Sequence, residues 1–303
     1  MVERDGMLST GSNLKRSLAR LLFTQLRPSQ WTKNVLVFAA FVFTLPHVTS
    51  DMFLRACCAF VLFSGISGTV YILNDYVDLK IDVQHPEKRH RPMASGQLSP
   101  RTALVFGGCL LFGCMLVSYR ISHLFSAVLA AYFLLNIAYS TILKHVVVID
   151  ILSISMGFVF RSAAGGLAIS VPLTPWFLFC TLVLSLFLAT GKRRYEYRVF
   201  QQHNRLIRRV LFRYSDKILN ALSIVTAVLT ILSYSVFTLT SKHSHVLMCT
   251  VPLVVYGIVR YMVLIDSTDL SGSPESILIR DAHIRYTAIL YVALVVTVLV
   301  VFG

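Results

Sequence analysis

From Val35 to the last residue the chain carries apolar runs about twenty residues long, separated by short polar breaks. Each run is long enough to cross a hydrocarbon core of about 30 Å. Inside lipid an open chain satisfies its backbone polar groups only as helix, so this feature dictates an all-α membrane protein. The composition agrees: 56% of the residues are apolar and 14% charged, against roughly a quarter charged in soluble domains. No polar stretch is long enough to fold alone, which excludes both a soluble globule and a domain held by one anchor.

Reading the apolar runs between their polar breaks predicts nine transmembrane helices, over about 34–49, 52–73, 102–119, 123–143, 146–169, 175–190, 218–239, 245–265 and 284–302. In the fifth, Gly165 and Gly166 mark either a kink or a close helix contact. Ahead of the first, Leu14, Leu18, Leu21, Leu22 and Leu26 recur at helical spacing between basic residues. That pattern predicts an amphipathic helix in the headgroup layer. The chain thus divides into a cytoplasmic N-terminal segment, 1–33, and a nine-helix domain, 34–303. Cys57, Cys58, Cys109, Cys114, Cys180 and Cys249 sit inside apolar runs without metal or redox spacing and read as packing residues.

A formal charge of +14 would suggest nucleic acid in a soluble protein. Here its placement gives another reason. Except for Arg55, Arg120, Lys242 and the in-span Arg161, every Lys and Arg falls at the N-terminus, in the breaks after spans two, four and six, or in the stretch 260–285 around the end of span eight. Such a bias assigns that side to the cytoplasm and predicts a multi-pass protein of the inner membrane. Its large partner is the bilayer, not nucleic acid.

The acids carry more information. Of the 14 Asp and Glu, only Asp51 falls on the outer side. The cytoplasmic end of span two reads Asn74-Asp75-Tyr76-Val77-Asp78-Leu79-Lys80-Ile81-Asp82. If that helix continues, Asp75, Asp78 and Asp82 lie within about 60° of one another on one face. Three neighbouring carboxylates need compensation, and an oxygen-only set favours Mg²⁺ shared with substrate phosphates. The next loop, His85 to Pro92, presents Lys88, Arg89 and Arg91. A metal beside a cluster of cations is what a diphosphate requires.

Asn74-Asp75-x-x-Asp78-x-x-x-Asp82 followed by Lys88-Arg89-x-Arg91-Pro92 resembles the first aspartate-rich motif of the UbiA superfamily of intramembrane prenyltransferases. The nine-helix count extends the resemblance to essentially the whole chain. It implies a UbiA-like bundle with its active site at the cytoplasmic face, where Asp75, Asp78 and Asp82 are catalytic and hold Mg²⁺ on a diphosphate. Where most members carry a second aspartate-rich motif, this chain reads Gly191-Lys192-Arg193-Arg194-Tyr195-Glu196-Tyr197-Arg198. That departure is similar to the decaprenyl-phosphate phosphoribosyltransferase branch. So are Arg27-Pro28-Ser29-Gln30-Trp31-Thr32-Lys33-Asn34, Gly272-Ser273-Pro274-Glu275 and Arg280-Asp281. The branch usually has Tyr directly after Lys-Arg, whereas Arg194 intervenes before Tyr195 here.

The resemblance implies phosphoribosyl diphosphate (PRPP) as donor, a polyprenyl phosphate as acceptor and diphosphate as leaving group. It assigns Asn74 to the ribose or to a carboxylate, and Lys88, Arg89 and Arg91 to the diphosphate. Lys192 and Arg193 would hold the 5-phosphate or the acceptor phosphate, Glu196 a ribose hydroxyl, with Tyr195 beside them. Tyr139 and Lys144 resemble a Tyr/Lys pair the family uses near the diphosphate. Lys33 and Asn34 would either reach phosphate or serve topology and capping. Arg161, alone inside span five, needs a partner. Asp150 is three turns away, about 16 Å along a helix, so a substrate phosphate or another acid is expected. Asp266, Asp269, Glu275 and Asp281 share the cytoplasmic face without individual roles. Two rival readings are a prenyl diphosphate transferase, which would carry acids where Lys192, Arg193 and Arg194 stand, and an anionic-lipid transporter, which would show internal repeats.

Overall fold

The computed structural model describes residues 17–45, 47–203, 209–240, 245–267, 277 and 280–302, and among them there is helix and no strand. A short helix, α1 (Leu18–Gln25), is capped by Ser17, whose hydroxyl accepts from the Arg20 amide. A 3₁₀ segment, Pro28–Phe38, and α2 (Ala39–Val42) follow. The long elements are α3 (Ser50–Val77), α5 (Pro100–Ile121), α6 (His123–Thr141), α7 (Ile149–Ala168), α8 (Pro175–His203), α9 (Asp216–Thr240), α10 (Val251–Ser267) and α11 (Ala282–Phe302), with a single turn, α4 (Leu79–Asp82), after α3. Their starts follow local chemistry. Thr49 and Ser99 accept from the Met52 and Thr102 amides at 3.2 Å. Each such cap satisfies an otherwise orphaned helix donor. Ser122 alone, in extended conformation, separates α5 from α6 and caps the latter.

Among the described residues, eight helices are long and apolar enough to cross a membrane. They correspond to spans two to nine. Span one differs: the residues expected there form the 3₁₀ segment and α2 rather than a regular α-helix. The physical reason is length. Pro28 and Pro46 bracket a run too short for an α-helical crossing, and the wider rise of 3₁₀ winding lets Pro28–Val42 extend about 28 Å. Gly165 explains how the segment fits. A Cβ there would stand 1.8 Å from the Val37 carbonyl oxygen, so only glycine lets α7 approach this backbone. Of the two readings of Gly165-Gly166, the close contact holds, and α7 runs unbroken.

Val37, Phe63, Ile66, Phe125, Leu129 and Ala164 form the main core, joining the 3₁₀ segment to α3, α6 and α7. A second cluster, including Phe187, Ala227, Tyr261 and Ile265, joins α8, α9 and α10. Large apolar side chains such as Val105, Phe112, Leu134 and Ile289 face outward. That distribution would be an aggregation hazard in water and suits lipid. Leu26 of the N-terminal region packs with Ile72, Met93, Leu98 and Ala103, which lays α1 over the polar end of α3. The expected N-terminal stripe therefore splits: Leu21 and Leu26 are buried on protein, Leu18 is exposed, and Leu14 lies outside the described residues. All six cysteines are free thiols.

Candidate active site

The aspartates gather where α3 ends, but not as a continuous helical face. α3 stops at Val77, Asp78 turns the backbone (φ −89, ψ 5), and α4 restarts at Leu79. This break divides the trio two and one. Asp75 (3% exposed) and Asp82 (1%) are buried and share one cation: Arg91 Nη1 donates to Asp75 Oδ1 at 2.9 Å and to Asp82 Oδ2 at 2.5 Å. Asp78 is instead partly exposed and faces Lys144 Nζ at 3.5 Å. The expected co-facial trio is thus corrected. Among the described residues no three acidic, His or Cys side chains converge to hold a metal by themselves.

Asp75 has two further partners that the sequence did not single out. Gln25 Nε2 donates to its Oδ2 at 2.6 Å, and Arg27 Nη2 donates to its Oδ1. Both reach it because α1 lies over α3 and because Arg27 takes a left-handed conformation (φ 53) just before Pro28. Burial lowers the proton affinity of the Arg27 guanidinium, and Asp75 acts in the opposite direction; arginine stays charged throughout. A signal for Gln25 did exist in the sequence, since it sits four residues after Leu21 on the buried face of α1. Thr24, Gln25, Arg27, Asp75, Glu87, His90, Arg91 and Pro92 line a cavity of about 280 Å³. Lys88 stands 3.6 Å from Asp82 Oδ1, and that buried oxygen accepts no hydrogen bond. Arg89 is exposed, beside His90. Asn74 Oδ1 accepts from the Ser140 hydroxyl, which ties α3 to the end of α6, where Tyr139 is half-buried.

The donor set fits a hard cation. It is oxygen only, with one buried carboxylate oxygen uncommitted at Asp82, and Mg²⁺ binds through one or two carboxylates when substrate phosphates complete its shell.

The second cationic stretch is not what its composition implied. Arg193 is 1% exposed. Its Nε donates to Asp150 Oδ2 at 2.7 Å and its Nη1 to Glu196 Oε2 at 2.5 Å. Tyr214 donates to the other Asp150 oxygen at 2.7 Å and accepts from the Val148 amide at 2.8 Å. That contact holds Val148, a β-branched residue at φ 69, in a conformation that is costly without support. Burial and Asp150 together push the Tyr214 hydroxyl well above the usual phenol range, so it remains a donor. Arg193 therefore bridges Asp150 and Glu196, so two of its three guanidinium nitrogens are engaged by protein acids, and its Nη2 is buried without a hydrogen-bond partner. Lys192 and Tyr195 are half-buried on the same helix, and neither lines the cavity at Asp75.

Arg161 is corrected too. It meets neutral groups: Nε donates to Asn34 Oδ1 at 2.8 Å, Nη1 to the Gly157 carbonyl at 2.8 Å and Nη2 to the Tyr132 hydroxyl at 3.1 Å. The rings of Phe63, Tyr132 and Phe158 surround the guanidinium at 5.1 to 5.4 Å. Cation–π attraction and hydrogen bonds together replace a counter-ion here. Asn34 also donates to Ser64 at 3.0 Å and Ser67 at 3.3 Å, so it staples the 3₁₀ segment to α3 and α7 inside the bundle. Lys33 donates to Gln30 at 2.8 Å. Glu275 and Asp269, the side chain of Asp266, and the Gly272–Glu275 stretch lie outside the described residues. Asp281 pairs with Arg260 at 2.8 Å.

Comparison with known proteins agrees with this architecture. A model of the UbiA prenyltransferase family matches residues 34–279. The chain is 31% identical to a decaprenyl-phosphate phosphoribosyltransferase of Mycolicibacterium smegmatis, over 93% of this chain and 92% of that protein. It is also 31% identical to one from Corynebacterium glutamicum, over 93% and 87%. Among solved structures, a UbiA homolog from Archaeoglobus fulgidus bound to DMAPP and Mg²⁺ superimposes with a TM-score of 0.71 at 15% identity, covering 92% of this chain and 98% of that one. With eight apolar helices among its described residues and an acidic motif at the end of α3, this multi-pass membrane chain belongs to the UbiA prenyltransferase family.

Proposed function

We propose that the protein transfers the 5-phosphoribosyl group of PRPP to a polyprenyl phosphate of the decaprenyl type, giving polyprenyl-phosphoryl-5-phosphoribose and diphosphate. The observation that carries this reading is the cavity in which Arg27 and Arg91 interleave with buried Asp75 beside Asp82 and Lys88. The similarity along nearly the full chain to phosphoribosyltransferases supports PRPP over a prenyl diphosphate as donor. The site faces the cytoplasm of the inner membrane, and nine crossings result if Pro28–Val42 makes the first.

In this reading an oxygen of the acceptor phosphate attacks C1 of the ribose as the bond from C1 to the diphosphate oxygen breaks. The acceptor is already an anion, so no general base is needed. Arg27, Arg91 and Lys88 neutralise diphosphate oxygens as that bond lengthens, and Arg89 draws the donor in from solvent. Asp75 and Asp82 would hold Mg²⁺, which when bound withdraws charge from the leaving group, while Asp78 stands apart on Lys144. Asn74, fixed by Ser140, orients the ribose, and Lys144 faces Asp78, while Tyr139 at the same end of α6 lies near Arg193. Lys192 and Tyr195, with the unpartnered Nη2 of Arg193, are the candidates for the second phosphate. Purified protein with Mg²⁺ is expected to release diphosphate from PRPP only when polyprenyl phosphate is present, and Asp75→Asn to abolish release while the protein stays in the membrane. Equal turnover by Asp75→Asn, or release from a prenyl diphosphate and not from PRPP, refutes the reading.

A further inference from the structure

Asp75 is buried, yet three donors converge on its two oxygens, and one of them, Arg91, also holds Asp82. A divalent cation held by both carboxylates displaces guanidinium groups, and a displaced guanidinium left in a partly buried place without an anion is costly. We propose that Arg27 and Arg91 are resident counter-ions of Asp75 and Asp82 that pass to the incoming diphosphate, so that metal and diphosphate bind as a pair and neither binds well alone.

The charges support this. Asp75, Asp78 and Asp82 face Arg27, Lys88, Arg91 and Lys144, and Glu87 lines the same cavity, so the cluster is balanced as it stands. A divalent cation by itself adds unbalanced positive charge in a partly buried place where like charges repel strongly. A diphosphate by itself finds its arginines engaged by carboxylates. Arriving together, the metal takes the carboxylates and the arginines take the diphosphate, whose negative charge offsets that of the metal. Asp82 Oδ1, buried and without a hydrogen bond, is open to the metal before any exchange, as is Gln25 Oε1, and Lys88 at 3.6 Å is the cation Asp82 would have to face. Arg27 is well placed to move, because its side chain is 26% exposed and borders the cavity.

This inference rests on reading the cavity as a diphosphate site, not on PRPP being the donor. Its test therefore uses metal and inorganic diphosphate. Mn²⁺ binding to the full-length protein in detergent is followed by electron paramagnetic resonance, first without any phosphate. Retention of radiolabelled diphosphate is then measured at fixed Mn²⁺. Arg27→Gln is expected to bind Mn²⁺ alone at least tenfold more tightly than wild type and to retain diphosphate at least tenfold less well. Arg91→Gln should shift both in the same directions, and Arg27→Lys should keep the weak metal-only binding of the wild type. Opposite signs in the two assays are the signature, since general damage would weaken both. Metal-only binding unchanged in Arg27→Gln and Arg91→Gln would mean that the arginines only grip diphosphate, and overturns the exchange. So does wild-type protein that binds Mn²⁺ equally well with and without diphosphate. PRPP failing as donor while the exchange holds would overturn the proposed reaction alone.

Discussion

Gly165→Ala probes the contact that sets the position of the 3₁₀ segment. The added Cβ would lie 1.8 Å from the Val37 carbonyl oxygen and 2.7 Å from its carbon, whereas real Cβ contacts do not fall below 3.0 Å. Backbone must therefore retreat by at least about 1.2 Å, and it has no rotamer to swing away. Overpacking of this kind costs about 3 kcal/mol or more, against a gain of up to about 1 kcal/mol from replacing glycine inside a helix. The same retreat pulls on the Asn34 to Arg161 bond and moves Arg27, the residue just before the segment. A displacement near 1 Å at a positioning group is enough to lower turnover by about a hundredfold. Thermal unfolding in detergent and diphosphate release are measured beside Gly113→Ala, a site with open space around it. The expected result is a loss of several degrees and most turnover in Gly165→Ala only. If both variants melt together and turn over alike, the close approach of α7 to Val37 does not exist, and the account of the first span falls with it.

Two further predictions follow from ion pairs, one buried between α7 and α8 and one at the start of α11. Asp150→Ala strips Arg193 and Tyr214 of an acceptor and should cost about 3–5 kcal/mol. Combined with Arg193→Met, it should cost less than the two separate losses by about 1 kcal/mol or more. An Arg193→Met protein as stable as wild type but weak for PRPP would restore Arg193 to the substrate. At α11, Asp281 accepts from the Ile284 amide at 2.9 Å as well as from Arg260, and the Arg260 hydrogen bond is the main cause that holds its carboxyl below the usual range. Asp281→Ala should lose about 1 kcal/mol of capping at neutral pH. Because the folded carboxyl is the stronger acid, its contribution is present above the ordinary carboxylate value and fades as pH falls through the lowered one. The gap in melting temperature between wild type and variant should thus narrow below about pH 4; a gap that widens in acid contradicts the pairing.

Much of the site was legible because the acids and the Lys88–Arg91 loop are near neighbours along the chain. Arg91 does meet Asp82, nine residues away, and Asp75, sixteen away. Other features were hidden for a definite reason. Asp78 leaves the shared face because the backbone turns at that residue, and a helical wheel assumes that it does not. Arg193 looked like a phosphate ligand because composition counts its charge without its partner, and the partner comes from another helix.

The sequence by itself determined how many long apolar helices there are from α3 onward, where they begin, and which breaks carry the cations. Each of those is a local property of run length, caps and charge, and lipid enforces it without reference to the rest of the chain. Tertiary structure alone decided the pairings: Arg27 with Asp75 across 48 positions, Arg193 with Asp150 across 43, and Arg161 with Asn34 across 127. A buried charge takes the nearest group that compensates it, and nearness inside a bundle is fixed by helix packing, down to one glycine that lets Val37 approach.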